Sequence, residues 1–353
     1  MSVSPFDFEL PERLIALRPA APRDSARLLV VRSDGRFEHA RLRDLPSLLL
    51  EGDVLVVNDT KVIPARLFGR RVSRQGFEGN GPRIQILLHK RIGPNGFRAF
   101  ARPARKLSRD DQLRLGNTLE ARVVSRGEGG EVEVEFACTG ADLDAAIARE
   151  GEIPLPPYIA GKRRTDARDS QDYQTAFAVH DGSVAAPTAG LHFTSELFAR
   201  LEAQGISRET ITLHVGAGTF LPVTTRNPRD HKMHAEWASL SAGAAKHIND
   251  VRNMGGRIVA VGTTTLRTLE SAANAEGEVA EFSEDTDIFI FPGYQFKTAE
   301  VLLTNFHLPR STLFMLVCAF MGTDVMKAAY AEAIREKYRF YSYGDACLLF
   351  RTL

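Results

Sequence analysis

The chain has 353 residues, 44% hydrophobic and 25% charged, proportions typical of a globular protein with a sizeable core and about two domains. Three cysteines scattered singly argue against a disulfide framework or an iron–sulfur cluster. The longest apolar run, Leu313 to Met321, is far shorter than the about 20 residues that cross a bilayer, and Phe6-Asp-Phe-Glu9 interrupts any signal segment. We therefore expect a cytoplasmic protein that does not use a membrane.

Charge is distributed very unevenly along the chain. Between Lys61 and Arg109 there are 13 Lys or Arg residues and one acid, Glu78, whereas the rest of the chain holds 32 basic and 43 acidic residues. The formal net charge of +1 conceals this contrast. Because the segment has almost no acids of its own to pair with, it predicts a surface for a polyanion. Nucleic acid is favoured over a membrane, since no amphipathic basic helix accompanies the charge.

The basic segment also has the pattern of a small β domain. An apolar run, Asp53–Val57, first predicts a strand that ends in Asn58-Asp-Thr60. Alternating runs separated by glycine-rich turns then favour an antiparallel barrel with strands at Arg83–Leu88, Phe97–Ala101, Leu113–Leu115, Leu119–Val124 and Val132–Phe136. A helix over Ala141–Glu150 and a proline-rich exit over Ile153–Tyr158 follow. We predict a discontinuous α/β domain, residues 1–65 and 152–353, interrupted by a basic β-barrel insert at 66–151.

Four short apolar runs in the second half of the chain each end in a loop that carries hydroxyls, glycines or histidines. The runs and their loops are Ser183–Pro187 before Thr188–Thr194, Glu209–Leu213 before His214–Phe220, Arg257–Val261 before Gly262–Thr265, and Val301–Leu303 before Thr304–His307. Loops that follow parallel strands meet on one side of the sheet, where ligands bind. Glycine and threonine also cap helices and form turns, which explains one such loop better than four. The loops together therefore predict an active site.

Helical patterns alternate with these runs, which is typical of an α/β architecture. Predicted helices cover Ser195–Gln204, Ser241–Asn253, Leu266–Ala275, Ser311–Phe320 and Val325–Tyr338, with Thr194 and Asp324 as N-caps. Further strands are predicted at Asp287–Phe291 and Ala346–Phe350. The pattern is compatible with a barrel-like closed sheet and with an open one.

Common cofactor and metal motifs are weak in this chain. Gly216-x-Gly218 lacks the third spaced glycine of a dinucleotide site, and there is no P-loop. His231-x-x-His234 with Glu236 could supply metal ligands, but the helical H-E-x-x-H spacing is absent. A metal site is therefore the less favoured interpretation.

Taken in order along the chain, a series of segments resembles the S-adenosylmethionine:tRNA ribosyltransferase-isomerase family of queuosine biosynthesis. The resemblance covers nearly the whole chain and is weakest in the insert. Its segments are Phe6–Pro11, Pro22–Asp24, Gly52-Asp53, Val57–Arg66, Ile153–Tyr158, Tyr173–Thr175, Pro187–Thr194, His214–Phe220, His231–His234 with Glu236, Gly262–Thr265, Arg267–Ser271, Asp287–Tyr294, Thr304–Pro309 with Ser311-Thr312, and Phe340–Asp345.

This resemblance implies a specific reaction. The ribosyl part of S-adenosylmethionine, used as a co-substrate, would be transferred to the aminomethyl group of a 7-deazaguanine at the wobble position of tRNA with a G-U-N anticodon (Tyr, His, Asn, Asp). Isomerisation to an epoxy-cyclopentanediol would accompany release of adenine and methionine. No metal or redox cofactor is expected, and we expect a monomer.

The reaction calls for a base beside the sulfonium carbon, a proton or hydrogen-bond donor for adenine, and a neutral amine, and histidine can serve such roles near neutral pH. The catalytic candidates are His192, His214, His234, Glu236 and His307. The candidates for binding S-adenosylmethionine are Thr188, Gly190, Phe193, Gly216, Gly218, Thr219, Phe220, Thr263, Thr264, Thr265, Arg267 and Asn305. Among these, Phe193 and Phe220 could hold the sulfonium by a cation–π contact or simply pack in the core. Arg267 could pair with a carboxylate.

The candidates for contacting tRNA phosphates are basic residues in and just after the insert: Arg66, Arg102, Arg105, Lys106, Arg109, Lys162, Arg163 and Arg164. Two other functions remain open at this point. A metal-dependent hydrolase would use the histidine-rich loops, and a non-catalytic RNA-binding protein would use the basic insert alone. The second leaves the polar loops at the strand ends unexplained.

Overall fold

The computed structural model describes residues 4–72, 81–216 and 233–352. Within these ranges the chain divides into two compact units, one of residues 4–60, 174–180, 186–216 and 233–352, and the other of residues 61–72, 81–173 and 181–185. The second unit is longer than the predicted insert of 66–151. It also takes in the proline-rich exit and the short helices that follow it.

The first unit is built on a nine-stranded mixed sheet. Its strands are β1 (Arg27–Val31), β2 (Phe37–Arg41), β3 (Val54–Asn58), β12 (Ser207–Leu213), β13 (Glu236–Leu240), β14 (Ile258–Val261), β15 (Phe282–Thr286), β16 (Val301–Asn305) and β17 (Ala346–Phe350). They lie in the order β15-β13-β12-β3-β14-β16-β17-β1-β2, so the sheet is open. Every residue of β3, β16 and β17 is buried, which is why these strands read as continuous apolar runs.

Helices of the first unit alternate with the strands. They are α1 (Leu45–Leu48), α5 (Ser195–Ala203), α6 (Ala242–Asn253), α7 (Thr263–Ala272), α8 (Thr312–Met321) and α9 (Thr323–Arg335). Short 3-10 helices lie at Ser4–Phe6, Glu12–Leu14, Arg23–Ser25, Leu42–Asp44 and Thr188–His192. Thr194 caps α5 as predicted, its side chain accepting the Leu197 N–H at 3.1 Å.

The second unit contains a closed, six-stranded antiparallel barrel in the order β10-β7-β6-β5-β8-β9. Its strands are β5 (Arg66–Arg71), β6 (Arg83–Arg91), β7 (Gly96–Arg102), β8 (Gln112–Leu115), β9 (Leu119–Arg126) and β10 (Glu131–Phe136). Helices α2 (Gly140–Glu150), α3 (Pro157–Ala160) and α4 (Asp169–Asp172) follow, with a 3-10 turn at Ala104–Lys106. Strands β4 (Thr60–Val62) and β11 (His180–Ser183) form a separate two-stranded sheet.

The predicted fold class, a large α/β sheet with an inserted β-barrel, is thus confirmed. Three local predictions are wrong. Asp287–Phe291 is not a strand, because the edge strand forms just before it at Phe282–Thr286, where it pairs with β13. Only Ser183 of the run Ser183–Pro187 is in a strand. Gly322, with φ +95°, precedes α9 at the N-cap, which places Asp324 inside the first helical turn.

Among the described residues, no single helix is long and apolar enough to cross a membrane. Taken together, α8 and α9 reach the required length and composition, but they are bent by 115° at the break between them.

Candidate active site

The candidate site lies at one edge of the large sheet, where four strands end side by side. Strands β12, β3, β14 and β16 are neighbours and run parallel to one another. Their carboxyl ends are therefore adjacent, as the strand-end loops predict. Within the predicted loop Thr188–Thr194, residues Thr188–His192 form a 3-10 helix that reaches the same edge, where His192 lies beside Asn305.

Asn58, at the end of β3, ties three of these segments together. Its Oδ1 accepts the N–H of Leu213 at 3.0 Å and that of Thr60 at 3.1 Å. Its Nδ2 donates to the Leu213 carbonyl at 3.0 Å and to Thr264 Oγ1 at 3.3 Å. The side chain is buried and its amide is fully used, so Asn58 fixes the relative positions of the loops. The sequence predicts a strand that ends in Asn58-Asp-Thr60, but Asn58 is not among the predicted site residues. An amide side chain at the end of a buried parallel strand is the signal that could have identified it.

His214 begins the loop after β12. Its Nδ1 lies 2.8 Å from Thr60 Oγ1, and its ring stacks on the half-exposed Trp237 with centroids 5.1 Å apart. Its main-chain N–H donates to the Trp237 carbonyl at 3.0 Å. The ring is thus fixed in orientation while remaining only partly buried at the strand edge. This combination suits a group that accepts or delivers a proton.

Glu236 and Arg267 form a buried ion pair next to this loop. Arg267 Nη1 donates to Glu236 Oε2 at 2.5 Å, and Gly216 N–H donates to Glu236 Oε1 at 2.8 Å. Arg267 Nε also donates to the Ile288 carbonyl at 3.2 Å. Arg267 Nη2 is buried and has no hydrogen-bond partner within the part of the chain that the structure describes. The pair therefore neutralises Glu236 and leaves one guanidinium N–H group for an acceptor.

His192 is a neutral, buried histidine. Asn305 Nδ2 donates to the carbonyls of Tyr341 and Ser342, at 3.0 and 3.4 Å, which fixes the orientation of the amide. The same Nδ2 lies 3.3 Å from His192 Nε2, so Nε2 accepts and the ring carries its proton on Nδ1. Burial lowers the pKa of His192 to about 4; Asp345 raises the pKa by less, and nearby arginines lower it further. His192 is thus a hydrogen-bond donor through Nδ1 at neutral pH.

Asn305 itself retains an unused acceptor. Its Oδ1 is buried and makes no hydrogen bond to any residue in the described ranges. A buried carbonyl oxygen of this kind can be satisfied by a hydroxyl or amino group of a ligand.

His307 is buried in the core. Its Nε2 lies 3.1 Å from Thr304 Oγ1, and its N–H donates to the Tyr330 hydroxyl at 2.9 Å. Burial lowers its pKa to about 3. Its neighbour Tyr330 packs against Phe306 and other aromatic rings. The geometry therefore favours a structural role for this histidine over a catalytic one.

The loop after β11 packs tightly around Gly190. A Cβ atom at Gly190 would lie 2.7 Å from Phe177 Cζ and 3.0 Å from Thr175 Cγ2, so a larger residue would require the Phe177 ring to shift. Phe193 is fully buried, stacked on Phe198 with centroids 5.0 Å apart. Its face is covered, which favours core packing over a cation–π contact. Thr188, at the start of the same 3-10 helix, is partly buried.

The turn between β14 and α7 supplies a second glycine-dependent bend. Gly262 has φ +92°, a conformation that favours glycine, and its N–H donates to the Leu303 carbonyl at 2.8 Å. Thr263 is buried, Thr264 receives the Asn58 amide, and Thr265 Oγ1 donates to the Val261 carbonyl at 2.8 Å. Of the three hydroxyls, that of Thr265 is therefore occupied by the last carbonyl of β14.

Four predicted site residues, Gly218, Thr219, Phe220 and His231, lie outside the described residues. His234, just inside them, is exposed. No group of three or more His, Cys, Asp or Glu side chains that could hold a metal ion occurs in the ranges the structure covers.

The second unit as a whole is closer to a balance of basic and acidic residues than the basic segment Lys61–Arg109 alone. Residues 61–173 and 181–185 together hold 21 basic and 16 acidic residues. Acids beyond position 109 pair with part of the basic segment, for example Asp144 with Arg91 and Glu133 with Arg98. The expectation that the segment has no acids to pair with is therefore wrong, because the antiparallel barrel brings later strands alongside it.

The predicted tRNA-contact residues are in different environments. Arg102, Arg105, Lys106, Arg109, Lys162 and Arg164 are exposed. Arg163 is held in a bidentate pair with the buried Asp169, at 2.6 and 2.8 Å. Arg66 is partly buried and donates to the Leu155 carbonyl at 3.0 Å. Arg163 and Arg66 thus make structural contacts, and the other six are exposed, with Arg109 Nε 3.9 Å from Asp110.

Comparison with known proteins agrees with the sequence motifs. A family model described as queuosine biosynthesis protein matches residues 3–349. Proteins named S-adenosylmethionine:tRNA ribosyltransferase-isomerase from Maricaulis maris and Parvibaculum lavamentivorans are 57% and 58% identical, each over 99% of this chain and 99% of the relative. The crystal structure of an S-adenosylmethionine tRNA ribosyltransferase from Thermotoga maritima shares 36% identity and a TM-score of 0.56, over 98% of this chain and 100% of that one. The chain belongs to the S-adenosylmethionine:tRNA ribosyltransferase-isomerase family of queuosine biosynthesis enzymes.

Proposed function

We propose that this enzyme transfers and isomerises the ribosyl moiety of S-adenosylmethionine onto the 7-aminomethyl-7-deazaguanine at the wobble position of tRNA. The product is epoxyqueuosine-tRNA, and adenine and methionine are released. The observation that carries this proposal is the 57–58% identity to enzymes of that name over nearly the whole chain. The tRNA substrates are those with a G-U-N anticodon, for Tyr, His, Asn and Asp, and the enzyme acts in the cytoplasm as a monomer.

The geometry at the strand edge supports a division of labour among the candidates. His214 is the proposed base, since its ring is oriented by Thr60 and Trp237 and is only partly buried. His192 is the proposed donor to departing adenine, because its low pKa keeps it neutral with a proton on Nδ1. Glu236 is a weaker candidate for the base, since Arg267 neutralises it. His307 acts only as a structural residue.

Two buried atoms without partners among the described residues are the proposed binding groups for S-adenosylmethionine. Arg267 Nη2 would donate to the methionine carboxylate, and Asn305 Oδ1 would accept from a ribose hydroxyl or an amino group. Thr188 and the turn at 262–264 would complete the site. The sulfonium charge itself acidifies the neighbouring carbon, so the reaction needs no metal or redox cofactor.

The test is an incubation of the purified enzyme with S-adenosylmethionine and tRNA that carries the aminomethyl-deazaguanine base. Adenine release is followed by chromatography, and the nucleoside mass is measured after digestion. Adenine together with a nucleoside of epoxyqueuosine mass, formed equally well in the presence of a chelator, is the expected result. Neither product, from folded enzyme that still binds the tRNA, would contradict the proposal.

Variants separate the proposed roles. His214→Asn should abolish adenine release, whereas His307→Gln should retain it in whatever fraction stays folded. Loss with both, from folded protein, would contradict the assignment. For tRNA, replacing Arg102, Arg105 and Arg109 with Ala should raise KM for tRNA and leave KM for S-adenosylmethionine unchanged. A rise in both KM values would contradict a separate tRNA surface.

A further inference from the structure

The outer face of the barrel carries a groove of about 640 Å³, and of its lining residues the proposed function uses only Arg102. It lies wholly within the second unit, over strands β5, β6 and β8 and the end of β7. Its volume is in the range of pockets that bind small molecules, roughly 300–1,000 Å³. Five arginines and one exposed phenylalanine are among its lining residues.

Three of the arginines form a row straight across neighbouring strands. Arg70 on β5 is directly opposite Arg83 on β6 and directly opposite Arg114 on β8. Cross-strand partners have Cβ atoms only about 5 Å apart, and like charges in such positions repel. Arg83 forms no ion pair among the described residues, and Glu120 lies 3.6 Å from Arg114 Nε at the end of the row. Arg70 Nη1 donates to the Gly81 carbonyl at 3.1 Å, which leaves its charge uncompensated by an acid among the described residues. Arg70 and Arg83 therefore place two positive charges side by side that an anion would neutralise.

The next row along the same face supplies an aromatic surface. Phe68 is opposite Gln85, and Gln85 is opposite Arg102, so the three side chains lie on the same outward face. Phe68 is 45% exposed, in contrast to Leu67, which is buried inside the barrel. Gly116, whose N–H donates to the Phe68 carbonyl at 2.8 Å, borders it with no side chain. Among the described residues, the exposed part of the Phe68 ring thus lies between the arginine row and Arg102.

We propose that this groove binds one unpaired nucleotide of the tRNA substrate, with its base stacked on Phe68 and its flanking phosphates on Arg70, Arg83 and Arg102. This inference rests on the proposed function, because it assumes that tRNA is the polyanion. Single-stranded RNA is bound by this combination of an aromatic platform and a basic groove. The Gln85 amide can donate to or accept from the base edge. A flat lipid surface would not need a concave site, and an acidic peptide would not need the ring.

The test measures binding of a short fluorescein-labelled single-stranded RNA, and of the tRNA, to the full chain by fluorescence anisotropy over a range of salt concentrations. The variants are Phe68→Ala, Phe68→Trp and the double variant Arg83→Ala with Arg102→Ala. Arg98→Ala is the matched control, because Arg98 is an exposed arginine of the same barrel that pairs with Glu133 outside the groove. Circular dichroism is used to check that each variant folds. Because Phe68 is exposed, its replacement should leave the fold intact.

Phe68→Ala should weaken RNA binding by about tenfold with no change in its salt dependence, and Phe68→Trp should restore it. The double arginine variant should weaken binding and reduce the slope of log Kd against log salt by about 1.4, or about 0.7 for each lost contact. Arg98→Ala should have an effect of less than about twofold, as expected for a rim charge.

Equal weakening by Arg98→Ala and the double variant, or normal binding by Phe68→Ala, would show a diffuse basic surface and overturn the proposal. Binding of polyglutamate or anionic phospholipid vesicles in place of RNA would also overturn it. A wild-type enzyme that binds RNA through Phe68 but releases no adenine from S-adenosylmethionine would contradict the proposed function and leave the groove assignment standing.

Discussion

Two neutral histidines in the large unit should make the protein less stable as the pH falls below about 6.5, the pKa of an unfolded histidine. Burial lowers the pKa of His192 to about 4 and that of His307 to about 3. Between these values and 6.5 the unfolded chain binds protons that the folded chain does not, so acidification favours unfolding. The loss of unfolding free energy begins near pH 6.5 and stops increasing only below the pKa that each histidine has in the folded protein.

The size of the effect follows from the linkage relation. Between pH 7 and pH 5, a histidine whose pKa falls from 6.5 to about 4 loses about 2 kcal/mol of stabilisation. His307 loses a similar amount, since its folded pKa is lower still. Together they amount to about 4 kcal/mol, a large part of the 5–15 kcal/mol by which a typical domain is stable.

The assay is urea unfolding at pH 7 and pH 5, followed by fluorescence. The chain has one tryptophan, Trp237, and it lies in the same unit as both histidines, so its emission reports on that unit. His192→Gln and His307→Gln should each reduce the difference in unfolding free energy between the two pH values by about 2 kcal/mol, whatever their stability at pH 7. The same pH dependence in the wild type and in both variants would refute the reasoning.

Three other substitutions have defined outcomes. Glu236→Gln should lower the unfolding free energy by about 3–5 kcal/mol, because it leaves the Arg267 charge buried and unpaired. In urea unfolding, the double variant with Arg267→Met should recover most of this loss. No recovery would mean that the broken ion pair is not the cause of the loss. Gly190→Ala should lower the free energy of unfolding by about 1–3 kcal/mol, because its Cβ would overlap a neighbouring ring, and an unchanged midpoint would contradict that packing. Asn305→Ala should lower kcat for adenine release by about tenfold or more, because His192 loses the amide that orients it. The Kd for tRNA should not change. An unchanged kcat would exclude this positioning role of Asn305.

Much of the fold follows from the sequence because the signals are local. Alternating apolar residues in the barrel and continuous apolar runs in β3, β16 and β17 reflect burial on one face or on both. Thr194 marks a helix start through its own side chain. The strand predicted at Asp287–Phe291 is wrong because a β-branched apolar run indicates burial but does not determine which neighbouring segment pairs with the sheet.

The family and the set of strand-end loops were also accessible from the sequence, since motif residues keep their order along the chain. What only the tertiary structure decided is which polar residues share an environment. Sequence made His192, His214 and His307 equivalent, but burial separates the two neutral histidines from His214 at the partly exposed edge. The opposition of Arg70, Arg83 and Arg114 likewise arises only when three strands align in one register. Pairing across a sheet joins residues distant in the chain, and desolvation depends on everything packed around a group, so neither property can be read from local sequence.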